Sequence, residues 1–124
     1  MHICRPFHER RNYYRWVILL LLMYQGATAP VSTTAQPHDD GSVIHILHPT
    51  EGAVIAGNDL DLDFQFFKGE LADHVHLYLD GQYIKELPRA IMGLSRGPHE
   101  IRLIASTGKH QLLRASATVH FLIK

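Results

Sequence analysis

Residues 73–83 read DHVHLYLDGQY, and the rest of the chain is best interpreted outward from this segment. Apolar residues at 75, 77 and 79 alternate with polar or aromatic ones, which is the period of a strand with one buried face. The pair Asp80-Gly81 favours a two-residue hairpin, because a type I′ turn needs positive φ at both central positions. The segment therefore predicts a core strand whose outward face carries His74, His76 and Tyr78.

The first 29 residues have the composition of a secretory signal peptide. Four arginines precede an apolar run over 16–24, and small residues follow over 25–29. The apolar run has about nine residues, whereas a helix that spans a membrane needs roughly 20. We expect a signal helix that is cleaved after residue 29 or 35, with an uncleaved interfacial anchor as the alternative. The mature protein is then periplasmic or extracellular and has no stable membrane span.

The composition after this leader excludes several classes of function. The only cysteine is Cys4, so the mature chain has no thiol for a disulfide, a nucleophile or a metal site. The leader holds four of the 12 basic residues and one of the 12 acidic ones, which leaves 8 basic and 11 acidic. No basic patch is then available for phosphates, which argues against a nucleic-acid partner. The sequence also lacks a Gly-x-Ser-x-Gly elbow and a phosphate-binding glycine loop, so we expect no enzymatic activity.

Short strand patterns follow the leader. Residues 30–42 are small, polar and interrupted by proline, which predicts a disordered linker before a domain over 43–124. A brief strand or loop is expected over 90–94, and clearer strand patterns lie at 43–48, 53–55, 60–66, 74–79, 82–87, 99–106 and 112–123. About seven short strands with turn signals between them predict an all-β fold, an antiparallel β-sandwich.

The segment from Leu94 to Ala105 resembles the E–F corner and F strand of immunoglobulin-like and fibronectin type III-like domains. Its Leu94, Gly97 and His99 lead into alternating apolar residues over 101–105. A tyrosine in those families takes the place of His99 and bonds back to the corner backbone, so the resemblance implies a buried, structural His99. With the segments 49–55 and 57–60, the chain over 43–124 is similar to small exported bacterial immunoglobulin-like domains of unknown role.

The same resemblance implies where the histidines lie. In an immunoglobulin-like order, 60–66 is strand B, 74–79 strand C, 99–106 strand F and 112–123 strand G, and strands C, F and G share one sheet. The B–C and F–G loops lie at the same end of the sandwich. His74 at the start of strand C is then expected near His110 in the F–G loop, with His76 on the same outward face.

Two functions remain open at this point, beside a role as a spacer alone. The first is a non-enzymatic binding or accessory module that needs no cofactor and contacts a protein or a glycan through the C–F–G face, using His74, His76, Tyr78, Arg102 and His110. The second is a copper- or zinc-binding protein, because His74, His76 and His110 supply three imidazoles without any need for cysteine. Asp73 or Glu70 would then add an oxygen ligand. The commoner reading of such histidines is simple exposure on an open sheet face.

Overall fold

The computed structural model describes residues 30, 32 and 34–124, and the strands all lie in the compact unit Ala35–Lys124. The predicted signal peptide over 1–29, with its first cleavage position and Cys4, lies outside the described residues. In the described part of the chain, no helix is long and apolar enough to cross a membrane.

The described residues form a β-sandwich, which confirms the predicted all-β class. A five-stranded sheet has the order β2-β9-β8-β5-β6, and two ladders pair β1 with β4 and β3 with β7. All pairs are antiparallel except β2 with β9. The strands are β1 (Val43–His48), β2 (Ala53–Ile55), β3 (Leu60–Asp61), β4 (Asp63–Phe67), β5 (His74–Leu79), β6 (Gln82–Ile84), β7 (Ala90–Ile91), β8 (Gly97–Ser106) and β9 (Leu112–Ile123).

The strand predicted over 60–66 is divided at Leu62. The amide of Leu62 donates a hydrogen bond to the carbonyl of Arg89 at 2.7 Å, which continues the register of β3 with β7 by one residue pair. Since β3 and β4 flank this single residue, one chain segment carries both ladders and they form the second layer of the sandwich. β6 and β7 are shorter than the predicted strands, because only residues 82–84 pair with β5 and only 90–91 with β3.

Alternate apolar residues from both layers form the core, as the sequence pattern predicts. Val75 and Leu77 of β5 are buried, and Leu60 and Leu62 meet them from the other layer. Full burial of one such side chain stabilises the fold by roughly 1.5–3 kcal/mol. The remaining buried apolar residues are Ile44, Leu94, Ile101, Leu103, Ala105, Leu113, Val119, Phe121 and Ile123.

The turn between β5 and β6 has the predicted conformation. Asp80 has a φ of 51° and Gly81 a φ of 80°, which are the positive values that a type I′ turn requires. The hairpin register places Tyr83 directly opposite Tyr78. Tyr83 thereby lies on the outward face of the sheet, next to the histidines of β5.

Three residues of the segment predicted as linker, His38, Asp40 and Ser42, form hydrogen bonds with the rest of the sandwich. Oδ2 of Asp40 accepts from the amides of Leu71 at 3.1 Å and Ala72 at 2.9 Å. The hydroxyl of Ser42 accepts from the Gly69 amide at 2.9 Å, and the carbonyl of His38 accepts from the β9 backbone at 2.9 Å. Residues 38–42 thus belong to the hydrogen-bond network of the domain.

The short strand β2 lies at one edge of the five-stranded sheet and pairs in parallel with the last strand, β9. Three residue pairs are in register, from Ala53 opposite Phe121 to Ile55 opposite Ile123. Backbone bonds continue at both ends of this pair, from Gly52 to the carbonyl of His120 at 2.7 Å and from Lys124 to the carbonyl of Ile55 at 2.9 Å.

Candidate metal centre

Strand β5 and the loop between β8 and β9 bring three histidines together. Nε2 of His74 lies 2.9 Å from Nε2 of His76, which in turn lies 3.2 Å from Nδ1 of His110. One candidate ligand nitrogen from each of the three rings lies within 4.8 Å of the other two. The sheet register accounts for this meeting, because His74 pairs with Ser106, the last residue of β8 before the loop.

Thr107 fixes the loop that presents His110. Its hydroxyl accepts hydrogen bonds from the amides of Lys109 at 3.3 Å and Gln111 at 3.2 Å. Its carbonyl accepts from the amide of His110 at 2.9 Å. His110 has a φ of 60°, a left-handed conformation that costs a residue other than glycine about 1 kcal/mol. The bonds to Thr107 hold this conformation and keep the imidazole beside His76.

His76 is buried although it lies on the outward face of β5. Its ring centroid is 4.8 Å from that of Tyr83, 4.9 Å from that of His74 and 5.4 Å from that of His110, and the residue is only 7% exposed. This burial lowers the pKa of His76, and positive charge on His74 or His110 lowers that pKa further. Since a metal ion binds the neutral imidazole, this environment favours the form that acts as a ligand.

Asp73 orients His74. Nδ1 of His74 donates a hydrogen bond to Oδ2 of Asp73 at 3.0 Å, and the Asp73 amide is held by the carbonyl of Ser106 at 2.8 Å. The bond from His74 is the main reason that the pKa of Asp73 is lowered, and Lys68 contributes to this shift. With Nδ1 protonated, Nε2 of His74 carries a lone pair toward the other two rings. Asp73 therefore supports a ligand, and Glu70 is not part of the cluster.

Two of the three separations between the ring nitrogens are close to those of ligands on one ion, and the third is at most 4.8 Å. Imidazole nitrogens bind zinc at 2.0–2.1 Å, so two of them in a tetrahedral site are about 3.3 Å apart. The two short separations here are 2.9 and 3.2 Å. A ring nitrogen carries either a proton or a lone pair, so Nε2 of His76 cannot donate to one neighbour and accept from the other. One cation between the rings would satisfy three lone pairs at once.

Tyr78 and Arg102, the other two residues of the predicted surface, lie beside the cluster and not within it. They face each other across β5 and β8, two residue pairs along from His76 and Ile104 and on the same face of the sheet. An open groove of about 250 Å³ runs here and is lined by Tyr78, Gly81, Glu100, Arg102, Ile104 and Leu112. The sequence analysis did not identify Glu100 and Leu112 as groove residues. They come close to Tyr78 only because β8 pairs with both β5 and β9.

A larger depression of about 560 Å³ lies on the opposite layer and contains no histidine. It is lined by Asp61, Leu62, Asp63, Phe64 and Arg89. Its charged residues alternate with core residues of β3 and β4, as on an ordinary solvated strand face. The histidine cluster, and not this depression, is therefore the candidate site.

The corner before β8 has both a backbone bond and an unexpected ion pair. Nε2 of His99 donates to the carbonyl of Ser95 at 2.7 Å, and its Nδ1 lies 2.7 Å from Oδ2 of Asp80. Gly97 adopts a φ of 123°, and Leu94 is buried beneath the corner. The sequence reasoning missed Asp80 as the second partner, since its Asp-Gly pair was already explained by the hairpin turn.

Comparison with protein-family models and with curated proteins gave no match. Among solved structures, the chain is similar to the fibronectin(III)-like modules of Clostridium thermocellum CbhA. The identity is 22% and the TM-score 0.51, over 66% of this chain and 97% of that one.

Two other solved structures are more distant. One is an engineered protein with 19% identity and a TM-score of 0.48, over 73% of this chain and 20% of that one. The other is SGBP-B of the Bacteroides ovatus mixed-linkage glucan utilization locus, in complex with a mixed-linkage heptasaccharide. It has 14% identity and a TM-score of 0.39, over 66% of this chain and 24% of that one. The strand order and the similarity to the fibronectin(III)-like modules together identify the fold as a fibronectin type III-like and immunoglobulin-like β-sandwich.

Proposed function

We propose that this protein is an exported, non-enzymatic module that binds one copper or zinc ion through His74, His76 and His110. The observation that carries the proposal is the convergence of three ligand nitrogens within 4.8 Å of one another. Imidazole is a good ligand for both Zn(II) and Cu(II), and the usual order of affinities favours Cu(II). The site needs no cysteine, which suits a protein of the periplasm or the extracellular space.

The electrostatics of the cluster support this proposal over simple exposure. Three imidazoles this close repel one another when they are protonated, and burial of His76 adds to that cost. Solvated histidines gain nothing from such an arrangement. The carboxylate of Asp73 behind His74 is the kind of partner that orients a metal-binding histidine and makes it a stronger ligand.

Calorimetric titration of the purified protein with Cu(II) and with Zn(II) tests the proposal. We expect one ion per chain and a dissociation constant below roughly 10 µM for at least one of the two metals. His76→Ala and His110→Ala should each weaken binding at least tenfold. His45→Ala is the matched control, because His45 is exposed on β1 in the other layer and should leave the affinity unchanged. Binding that is weaker than this limit, or that survives both cluster substitutions, would exclude the site.

A second candidate function is contact with a glycan through the outward face of β5, β8 and β9, where the protein would act as an accessory module. The groove beside the cluster favours it, because the ring of Tyr78 offers a stacking surface flanked by Glu100 and Arg102. Arg102 is half-exposed, and its Nε donates to Thr118 at 3.3 Å. A sugar ring needs this combination of one apolar platform and several hydrogen-bonding groups.

Titration with cellohexaose and xylohexaose tests the second candidate. We expect millimolar or tighter binding of one of them, lost in Tyr78→Ala and retained in the control Phe67→Ala, which removes an exposed aromatic ring of β4 in the other layer. If neither oligosaccharide binds and a protein partner is found instead, the glycan candidate fails and the protein contact replaces it.

A further inference from the structure

We infer that the three-histidine site keeps a coordination position open to solvent and binds a small anionic ligand on its metal there. This inference rests on the metal-binding function proposed above and adds the class of ligand. Within the described residues, the metal-ligand cluster contains His74, His76 and His110 and no fourth side chain. Zn(II) and Cu(II) take four or more ligands, so at least one position must be filled from outside these three rings.

The burial of the cluster indicates on which side this position lies. His76 is buried, with the ring of Tyr83 packed 4.8 Å away against it. His74 is partly exposed, and His110 is exposed together with its loop neighbours Gly108 and Lys109. The protein therefore encloses the site on the side of Tyr83 and leaves the side of the β8–β9 loop accessible to small molecules.

Asp73 does not fill the open position. One of its oxygens accepts the hydrogen of Nδ1 in His74, which is the nitrogen that faces away from the cluster. Movement of this carboxylate onto the metal would break that bond and release the orientation of His74. A site with three imidazoles and an outside ligand is typical of metals that exchange ligands, whereas purely structural sites use four protein ligands.

The net charge around the metal determines which kind of outside ligand is favoured at the open position. Three neutral imidazoles leave the full double charge of a divalent ion in place. Among the described residues, the carboxylate hydrogen-bonded to the cluster is that of Asp73, which carries one negative charge. Lys68 acts on Asp73, and Lys109 is exposed next to His110. The surroundings thus stay positive after metal binding, which favours anionic donors such as a carboxylate over neutral ones.

Azide titration of the copper-loaded protein tests this inference. One equivalent of Cu(II) is added and binding is verified by calorimetry, after which sodium azide is titrated and absorption and electron paramagnetic resonance spectra are recorded. We expect a new azide-to-copper charge-transfer band that saturates at one azide per copper. Excess acetate, a competing carboxylate, should lower the apparent azide affinity several-fold.

Tyr83→Phe is the matched variant, because it keeps the ring against His76 and removes only the hydroxyl. We expect its spectra and azide affinity to equal those of the wild type. Stoichiometric copper binding with no azide band would overturn the inference and leave the proposed function intact. A tighter azide complex in Tyr83→Phe than in the wild type would also overturn it, since the phenol would then be the fourth ligand. Failure to bind copper would overturn both proposals together.

Discussion

At the scale of single residues, the imidazole of His99 bonds to the backbone of the corner and also to a carboxylate. Its two ring nitrogens both face acceptors, the carbonyl of Ser95 and the carboxylate of Asp80. Both can be bonded only if both nitrogens carry a hydrogen, which requires the positively charged form. The bond to Ser95 raises the pKa of His99, burial opposes this, and the bond to Asp80 adds to the rise.

The bonds of His99 predict that its contribution to the free energy of unfolding decreases as the pH rises above about 6.5. Because the pKa of His99 is higher in the folded protein than its ordinary value of 6.5, the folded state holds this proton more tightly than the unfolded one. The stabilisation is fully present below about pH 6.5 and is lost as the pH rises through the folded pKa. The unfolding free energy from urea titration at pH 5.5 to 9 measures it.

His99→Gln should flatten that dependence, because glutamine retains a hydrogen-bond donor but no titrating group. Since His99 is buried, the variant is also expected to be less stable at acidic pH by about 1–3 kcal/mol. His45→Gln, at an exposed position of β1, is the control and should keep the slope of the wild type. Equal slopes in the His99 variant and the wild type would contradict the assignment.

At the scale of elements, the segment 38–42 depends on its close contact with the chain before β5. A Cβ atom on Gly69 would collide with the backbone carbonyl of Asp40, so the two segments pack together only because residue 69 has no side chain. Gly69→Ala should destabilise the protein by about 1–3 kcal/mol, the usual cost of an overpacked contact. Thermal unfolding of the purified protein measures the loss.

Gly108→Ala is the control for this prediction. A Cβ there meets nothing closer than 4.0 Å, and the residue has no positive φ that alanine would strain. Its melting temperature should therefore match that of the wild type. Equal stability of both alanine variants would show that residues 38–42 do not pack against Gly69 in solution.

The elements also show what the sequence could predict and what it could not. Alternation of apolar residues over 74–79 predicts β5, and Asp80-Gly81 predicts its turn, because both signals are local. The contact of residues 38–42 with the sandwich could not be predicted, because hydrogen bonds to Asp40 and Ser42 hold the segment and such bonds leave no periodic pattern of apolar residues in the sequence. The shared face of His74 and His76 follows from strand period alone. The burial of His76 does not, because it requires Tyr83 from the next strand and His110 from a distant loop.

At the scale of the whole molecule, the sandwich is a small domain without a disulfide. No cysteine follows Cys4, so residues 35–124 are stabilised by the core and by hydrogen bonds. Domains of about 90 residues bury a smaller share of their surface than larger ones and have little stability to spare. A ligand that binds the folded state alone is therefore expected to have a large effect on unfolding.

The proposed metal site predicts such an effect. A metal at about 100 times its dissociation constant adds about 2.7 kcal/mol to the stability of the folded state. For a domain of this size that raises the melting temperature by roughly 10–20 °C. Calorimetry with Zn(II) or Cu(II), and after removal of the metal by a chelator, measures the shift. His110→Ala, which is expected to bind the metal at least tenfold more weakly, should show at most about half of this shift at the same metal concentration, and an undiminished shift in this variant would place the metal elsewhere.

The parallel alignment of β2 and β9 has a mechanical consequence. Tension applied between the residues before Ala53 and the chain end at Lys124 pulls the two strands in opposite directions along their common axis. The bonds from Gly52 to His120 and from Lys124 to Ile55, and the register between them, are then loaded in shear at the same moment. They must break together, whereas the rungs of a pulled hairpin open one after another, so this edge makes the sandwich resistant to stretching along its own chain.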